Sequence, residues 1–200
     1  MKRGWIPLLL AVMLLSGCGV SQSPRFYALS PLVRPAETPP PAAAASGSAL
    51  LIGLGPVAVP DRLDRPQLLS RSGENEIIIA EFDRWPGSLR EEVSRTVAEN
   101  LALLLPSCQV VSYPWGRRLQ LDRQIAVDIV RMEGRLGGQL ILKANWAVMT
   151  DQGTKTALVR HTEISERMSG ADYESYVAAH SRALERLSRE IAAAVTSLPK

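Results

Sequence analysis

Residues 139–150 have the sequence QLILKANWAVMT, and the alternation within this run decides the predicted fold. Because successive side chains of a β-strand point to opposite faces, every second residue shares a face with Trp146. That face is wholly apolar, whereas the other is mixed, so the run predicts a strand with one buried face and one open face. The apolar face consists of Leu140, Leu142, Ala144, Trp146 and Val148.

Two runs of similar length flank this strand. Residues 121–132 precede it across the glycine-rich turn 134–138, and residues 156–167 follow it across the turn 151–153. Short connections of this kind join antiparallel neighbours, so the three runs predict an antiparallel meander. Shorter strands are also predicted, at residues 50–59, at residues 109–111 and in a hairpin with arms 68–71 and 76–82.

Two helices are predicted from apolar residues that recur at steps of three and four. The first starts at Ser88, which forms a capping box with Glu91, and ends before Pro106. The second has Asp172 as its cap and continues for about 25 residues. Because a short antiparallel sheet commonly buries one face, we expect both helices on the face of Trp146.

The predicted fold class is therefore α+β, with a mixed, largely antiparallel sheet of about five to six strands and two long helices packed on one face. The opposite face carries Ile141, Ala147 and Met149 among polar residues. Apolar side chains grouped on a wet surface are typical of interaction sites. We predict that Ile141 and Met149 belong to a subunit or partner surface.

The sequence contains no recognised catalytic motif, and we predict no catalytic residue, no metal site and no cofactor. His161 and His180 are each isolated from a second ligand at metal spacing, which favours structural roles. Asp83-Arg84-Trp85 is predicted to hold a local ion pair and an aromatic plug at a strand-to-helix turn. Catalytic groups assembled from distant positions remain an open alternative.

The first eighteen residues indicate a lipoprotein export signal. Lys2 and Arg3 precede a short apolar run, which ends in the tetrapeptide LSGC at residues 15–18. We expect residues 1–17 to be removed, the thiol of Cys18 to receive diacylglycerol and its new amine to receive a fatty acid such as palmitate. Gly19, rather than aspartate, after the cysteine predicts an outer-membrane destination.

Charge argues against a nucleic-acid partner. Loss of Lys2 and Arg3 with the signal lowers the basic residues from 23 to 21, against 20 acidic residues. The processed chain is nearly neutral and has no basic cluster. Since Cys18 is predicted to be lipidated, Cys108 has no partner for an intrachain disulfide, and we interpret it as a small buried apolar residue.

The processed chain is predicted to divide into a tether, residues 18–48, and one α+β domain, residues 49–200. The tether is rich in proline and alanine, which is typical of a connector. Within it, residues 26–29 are prone to β-structure and form either loose tether or an edge strand of the domain. If they are docked, only residues 19–25 separate lipid from domain, which limits the distance to about 25 Å.

A set of short segments follows the lipobox at residues 15–18 in a characteristic order: residues 26–29, 52–57, 63–68, 80–85, 97–101, 105–106, 113–115 and 178–184. With these segments the chain resembles the PqiC/YmbA-like family of ABC-type transport auxiliary lipoproteins over about residues 25–196. The lipidated cysteine of that family corresponds to Cys18, which precedes this region.

The resemblance implies a non-enzymatic docking subunit of an envelope lipid-transport system. Its partner would be a periplasmic, PqiB-like protein with MCE domains, anchored in the inner membrane, and a homo-oligomer would suit such a partner. Two alternatives stay open from the residues alone: a lipid-anchored shuttle with its own apolar cavity, and an envelope hydrolase.

Overall fold

The computed structural model describes residues 22–33, 49–116 and 118–199. The predicted signal and its cysteine, Cys18, lie outside these residues. The described residues form eight strands, two α-helices and one 3₁₀ turn at Asp151–Gly153. In chain order they are β1 Arg25–Phe26, β2 Leu50–Ala58, β3 Gln67–Arg71, β4 Ile77–Arg84, α1 Leu89–Leu104, β5 Cys108–Ser112, β6 Arg123–Gly134, β7 Gln139–Thr150, β8 Lys155–Arg167 and α2 Tyr173–Ser197.

The larger sheet has five strands in the order β5-β2-β6-β7-β8. Its antiparallel part, β6-β7-β8, is the meander that the sequence predicts. Strand β2 runs parallel to both β5 and β6, which makes the sheet mixed. Leu140, Leu142, Ala144 and Val148 are fully buried, and Trp146 is 2% exposed and donates its indole N–H to Thr162 Oγ1 at 3.0 Å.

The remaining strands form a second sheet in the order β1-β4-β3. The predicted hairpin is present as β3 and β4, with Leu69 opposite Ile79. The fold class is confirmed, but the strands divide between two sheets. Side chains link the sheets: Arg71 on β3 forms an ion pair with Glu133 on β6, and the Tyr176 hydroxyl of α2 accepts from the Gly134 amide of β6 and donates to the Leu69 carbonyl of β3.

Both helices cover the face of Trp146, as expected. Helix α1 lies against β2 and β5, helix α2 lies against β7 and β8, and the two helices contact each other. Both predicted caps are present: Ser88 Oγ accepts from the Glu91 amide at 3.4 Å, and Asp172 Oδ1 accepts from the Ser175 amide at 2.7 Å. No helix within the described ranges is long and apolar enough to cross a membrane.

Candidate functional site

The chain segment that follows the predicted lipidation site is docked on the domain. Strand β1 pairs in parallel with the end of β4, and the Tyr27 amide donates to the Arg84 carbonyl at 2.9 Å. Asp83, which is 7% exposed, accepts from the Tyr27 hydroxyl at 2.9 Å and forms an ion pair with Arg25 at 2.8 Å. Burial, followed by the bond to Asp83, raises the pKa of Tyr27.

Helix α1 holds Leu29, two residues after Tyr27, by hydrogen bonds to the backbone of Leu29. The Leu29 amide donates to Glu92 Oε2 at 3.0 Å, and Arg95 donates to the Leu29 carbonyl at 2.8 Å. Arg95 also bonds Glu92 at 2.9 Å, and this bond raises the pKa of Arg95, which stays charged. The side chain of Leu29 is 2% exposed and belongs to the core.

A buried asparagine completes the attachment and joins it to α2. Asn100 is fully buried; its Oδ1 accepts from the Leu32 amide at 2.7 Å, and its Nδ2 donates to Ser188 Oγ at 3.2 Å. The Ser30 amide donates to Ser181 Oγ on α2 at 3.1 Å. We call residues 25–32, held by β4, α1 and α2, the N-terminal clasp.

The clasp shortens the predicted tether between Cys18 and the domain. Residues 25–32 are bonded to three elements of the domain, so the path from Cys18 to the domain is only the stretch 19–24. An extended chain rises at most about 3.6 Å per residue, which limits the separation of Cys18 from β1 to about 25 Å. Residues 34–48 connect the clasp to β2 and therefore do not add to this distance.

The predicted Asp83-Arg84-Trp85 cluster is present in a different arrangement. The ion-pair partner of Asp83 is Arg25 of the clasp, not the neighbouring Arg84. Trp85 is a buried plug, 3% exposed, whose ring meets the His180 ring edge-on at 5.7 Å. Asp83 therefore binds the clasp to the domain, and Trp85 packs in the core.

The predicted partner residues Ile141 and Met149 lie on the sheet face opposite the helices and are half-buried. An open apolar depression of about 260 Å³ lies on the same face between their positions on β7. Val159, which borders it, is 68% exposed. The depression is lined by outward-facing side chains that include those of Pro56, Ala58, Ala126, Asn145, Ala147 and Val159.

The two histidines are not brought together. His180 is buried in α2, where its Nδ1 lies 2.9 Å from the Tyr176 carbonyl oxygen and therefore carries the proton. Burial lowers the pKa of His180 to about 4. His161 lies on the open sheet face, with Nδ1 2.8 Å from Asn145 Oδ1. The Nδ1 partners of the two rings are thus a backbone carbonyl oxygen and a side-chain amide oxygen.

Metal ligands and reactive cysteines do not form a site within the described ranges. No group of three or more His, Cys, Asp or Glu side chains there is placed to hold a metal ion. Cys108 is a half-buried free thiol. Gly53 and Gly55 of β2 are covered by the side chains of Trp115 and Tyr113.

Comparison with known proteins decides the family. The model of the ABC-type transport auxiliary lipoprotein component family matches residues 27–192. The chain belongs to this family. The match begins at Tyr27, so the clasp, from that residue onward, is part of the family domain.

Relatives of the auxiliary lipoprotein include the intermembrane transport lipoprotein PqiC of Escherichia coli (strain K12). It is 26% identical over 153 residues, which cover 76% of each chain. PqiC of Shigella flexneri matches to the same extent.

Two solved structures share the fold of the auxiliary lipoprotein. A crystal structure of an uncharacterized protein has a TM-score of 0.70 at 19% identity and covers 87% of this chain and 99% of its own. Protein XCC0632 from Xanthomonas campestris has a TM-score of 0.63 at 18% identity, with 86% and 94% covered.

Sequence reasoning identified the open face and left the docking of residues 26–29 as one of two alternatives, but it did not predict the bonds of residues 29–32 to the two helices. The available signal was Asn100, a polar residue within the apolar stripe of the first helix. A buried amide needs hydrogen-bond partners, and here one partner is the Leu32 backbone.

Proposed function

We propose that this auxiliary lipoprotein is a non-enzymatic docking subunit of an MCE-type, ABC-driven envelope lipid-transport system. In this proposal Cys18 carries the lipid, and the domain faces the periplasm from the outer membrane. The partner is a PqiB-like MCE-domain protein anchored in the inner membrane. Family membership and the PqiC relatives support a role in transport.

The clasp is the observation that carries the proposal. It holds the domain within about 25 Å of the predicted anchor, so the domain is confined to a thin layer at the membrane surface. Two or three acyl chains on one cysteine anchor a protein stably, whereas a single chain binds only marginally. A receptor for a partner that crosses the periplasm must stay at the membrane surface, and its binding surface must keep a fixed distance from the membrane.

The open sheet face is the proposed receptor surface. Ile141 and Met149 lie towards the two ends of β7 on this face, and the apolar depression between their positions is lined by residues that include Ala147 and Val159. Interfaces of this kind have an apolar centre and a polar rim. Lys143 and Glu163, which form an ion pair at 2.9 Å on the neighbouring strands β7 and β8, lie between Ile141 and the depression and supply polar groups at the border of the depression.

The experiment is affinity capture of the MCE-domain protein by the full lipidated chain in membrane extracts. We expect the double variant Ile141→Asp, Met149→Asp to capture at least about tenfold less partner, because buried unpaired carboxylates cost several kcal/mol. Ala193→Asp, at an exposed position on α2 away from the clasp and from the open sheet face, is the matched control and should capture normally. Normal capture by the double variant, or no capture by the parent chain, contradicts the proposal.

A further inference from the structure

Three consecutive isoleucines at the start of β4 lie on the surface. Ile77, Ile78 and Ile79 are 39%, 43% and 50% exposed. Because successive strand residues point to opposite faces, exposure of all three means that neither face is fully covered here. Contiguous exposed apolar side chains indicate a surface that meets a partner or a membrane.

The same stretch of β4 has an unpaired edge. On one side, β3 pairs with Ile77–Ile79. On the other side, β1 pairs only with Asp83 and Arg84 at the far end of the strand. Within residues 22–33, 49–116 and 118–199, no other strand pairs with that side of Ile77–Phe82.

The direction of β1 places the lipid anchor near these isoleucines. Strand β1 runs parallel to β4, with Arg25 opposite Asp83, so the chain before Arg25 approaches from the side on which β4 begins. Ile78 lies five residues before Asp83, about 17 Å along the strand. Cys18 lies seven residues before Arg25, at most about 25 Å away. The maximum reach of about 25 Å exceeds the roughly 17 Å needed, so the tether is long enough for Cys18 to lie beside the isoleucines.

We propose that Ile77, Ile78 and Ile79, together with Phe26, contact the lipid bilayer that holds the anchor at Cys18. Phe26 lies on β1 along the same edge and is 64% exposed. The short tether holds this edge at the membrane surface, and the acyl region of the bilayer covers the apolar side chains. The inference rests on the proposed lipidation of Cys18.

The depth and the type of lipid follow from the neighbouring groups. The unpaired backbone N–H and C=O groups of β4 need water or headgroups, so the edge lies at the boundary of headgroups and acyl chains. Glu74 and Glu76, in and beside the turn before the isoleucines, are exposed. Since anionic headgroups repel them, we assign a zwitterionic surface such as phosphatidylethanolamine.

The test measures fluorescence quenching by brominated acyl chains. The full lipidated chain is reconstituted into vesicles of phosphatidylethanolamine and brominated phosphatidylcholine, with non-brominated vesicles as reference. Ile78→Trp reports on the proposed contact, and Val159→Trp, on the open sheet face, is the matched control. For each variant, the parent signal is subtracted to give the fluorescence of the added tryptophan. We expect this fluorescence to fall about twofold or more in brominated vesicles for Ile78→Trp, as for an interfacial side chain. For Val159→Trp we expect it to stay unchanged.

The outcomes separate this inference from the proposed function. If the parent chain, made in full, carries no lipid on Cys18 and does not float with the vesicles, the anchoring in the proposed function is contradicted. A chain that floats but leaves Ile78→Trp unquenched, or quenches Val159→Trp equally, overturns the membrane contact alone. Ile79→Trp, at the most exposed of the three isoleucines, gives an independent measurement if Ile78→Trp does not fold.

Discussion

Burial of His180 couples folding to pH at a single residue. The ring lies against Trp85 and Tyr176 and stays neutral in the folded protein, with its pKa lowered from 6.5 to about 4. In the unfolded chain the same ring takes up a proton as the pH falls below about 6.5. The unfolded state then binds more protons than the folded state. The part of the free energy of unfolding that depends on a neutral His180 is therefore fully present above about pH 6.5 and is lost as the pH falls towards 4.

We expect His180→Gln to flatten the pH dependence of the free energy of unfolding between about pH 6.5 and 4. The parent protein should lose about 3 kcal/mol more than the variant over this range, the free energy that corresponds to the lowered pKa. Urea unfolding at a series of pH values measures the difference. His161→Gln, on the open face, is the control, and parallel curves for the parent and His180→Gln would refute the prediction.

Asn100 is the residue on which the clasp and the helix pair both depend. Its substitution by Ala leaves the Leu32 amide and the Ser188 hydroxyl without this partner in a buried site. We expect Asn100→Ala to lower the free energy of unfolding by about 1–3 kcal/mol and to speed amide exchange at Leu32. Ser181→Ala, which removes a bond at the solvent-exposed Ser30, should cost less than about 1 kcal/mol. Equal effects of the two variants would contradict this ranking.

At the scale of elements, the loop after β5 is fixed by two glycines of β2. A Cβ added to Gly53 would lie 2.5 Å from Leu121 and 3.0 Å from Trp115, and one on Gly55 would lie 2.4 Å from Tyr113. The loop therefore lies directly on the strand backbone and covers one end of the open sheet face. The absence of a side chain at Gly53 is required for this approach, which explains a glycine within a strand.

We expect Gly53→Ala to displace the loop and to destabilise the protein by about 1–3 kcal/mol, the usual cost of overpacking. The change should also shift the fluorescence of the half-buried Trp115, measured beside the unfolding free energy. Gly73→Ala is the matched control, because a Cβ there meets nothing within 4 Å. A stability of Gly53→Ala equal to that of Gly73→Ala would show that the loop adapts freely.

The sequence predicts elements whose signals are local and leaves out those that depend on distant partners. The alternation around Trp146 and the caps at Ser88 and Asp172 arise within one strand or one helical turn, so the meander and both helices are predicted correctly. The parallel pairing of β2 with β5 and β6 joins segments far apart in the chain and has no local pattern. The same holds for the division into two sheets, which side chains such as Arg71 and Glu133 connect.

The candidate site divides in the same way. The outward position of Ile141 and Met149 follows from a period of two, and the structure has them on that face. The clasp instead depends on hydrogen bonds between residues about 60 to 150 positions apart, such as Ser30 with Ser181. The β-prone run 26–29 indicated an edge strand as one of two alternatives, and Asn100, a polar residue in an apolar stripe, indicated that a polar group would dock on the first helix.

For the whole molecule, the clasp separates two connectors with different mechanical roles. Residues 19–24 join the proposed anchor at Cys18 to the clasp and set the reach of the domain. Residues 34–48 join the clasp to β2 and form a loop whose two ends are both held by the domain. Added length therefore has different consequences in the two connectors, although both are short segments near the N-terminus.

We expect about 20 Gly/Ser residues inserted after Val20 to raise the mean reach of the domain by about 25 Å, the coil dimension of such a linker. Two quantities should then change: the amount of MCE-domain partner that is captured across the periplasm, and the permeability of the outer membrane. The reason is that the domain no longer lies at a fixed distance from the membrane. The same insertion after Ala43 is the matched control and should leave both unchanged, since the clasp still limits the distance between Cys18 and the domain. Removal of the anchor by Cys18→Ala, as a second reference, should abolish membrane retention with the free energy of unfolding unaltered.

The comparison of the two insertions decides the role of the clasp. If insertion at Ala43 were as disruptive as insertion at Val20, the clasp would not be what sets the distance between membrane and domain.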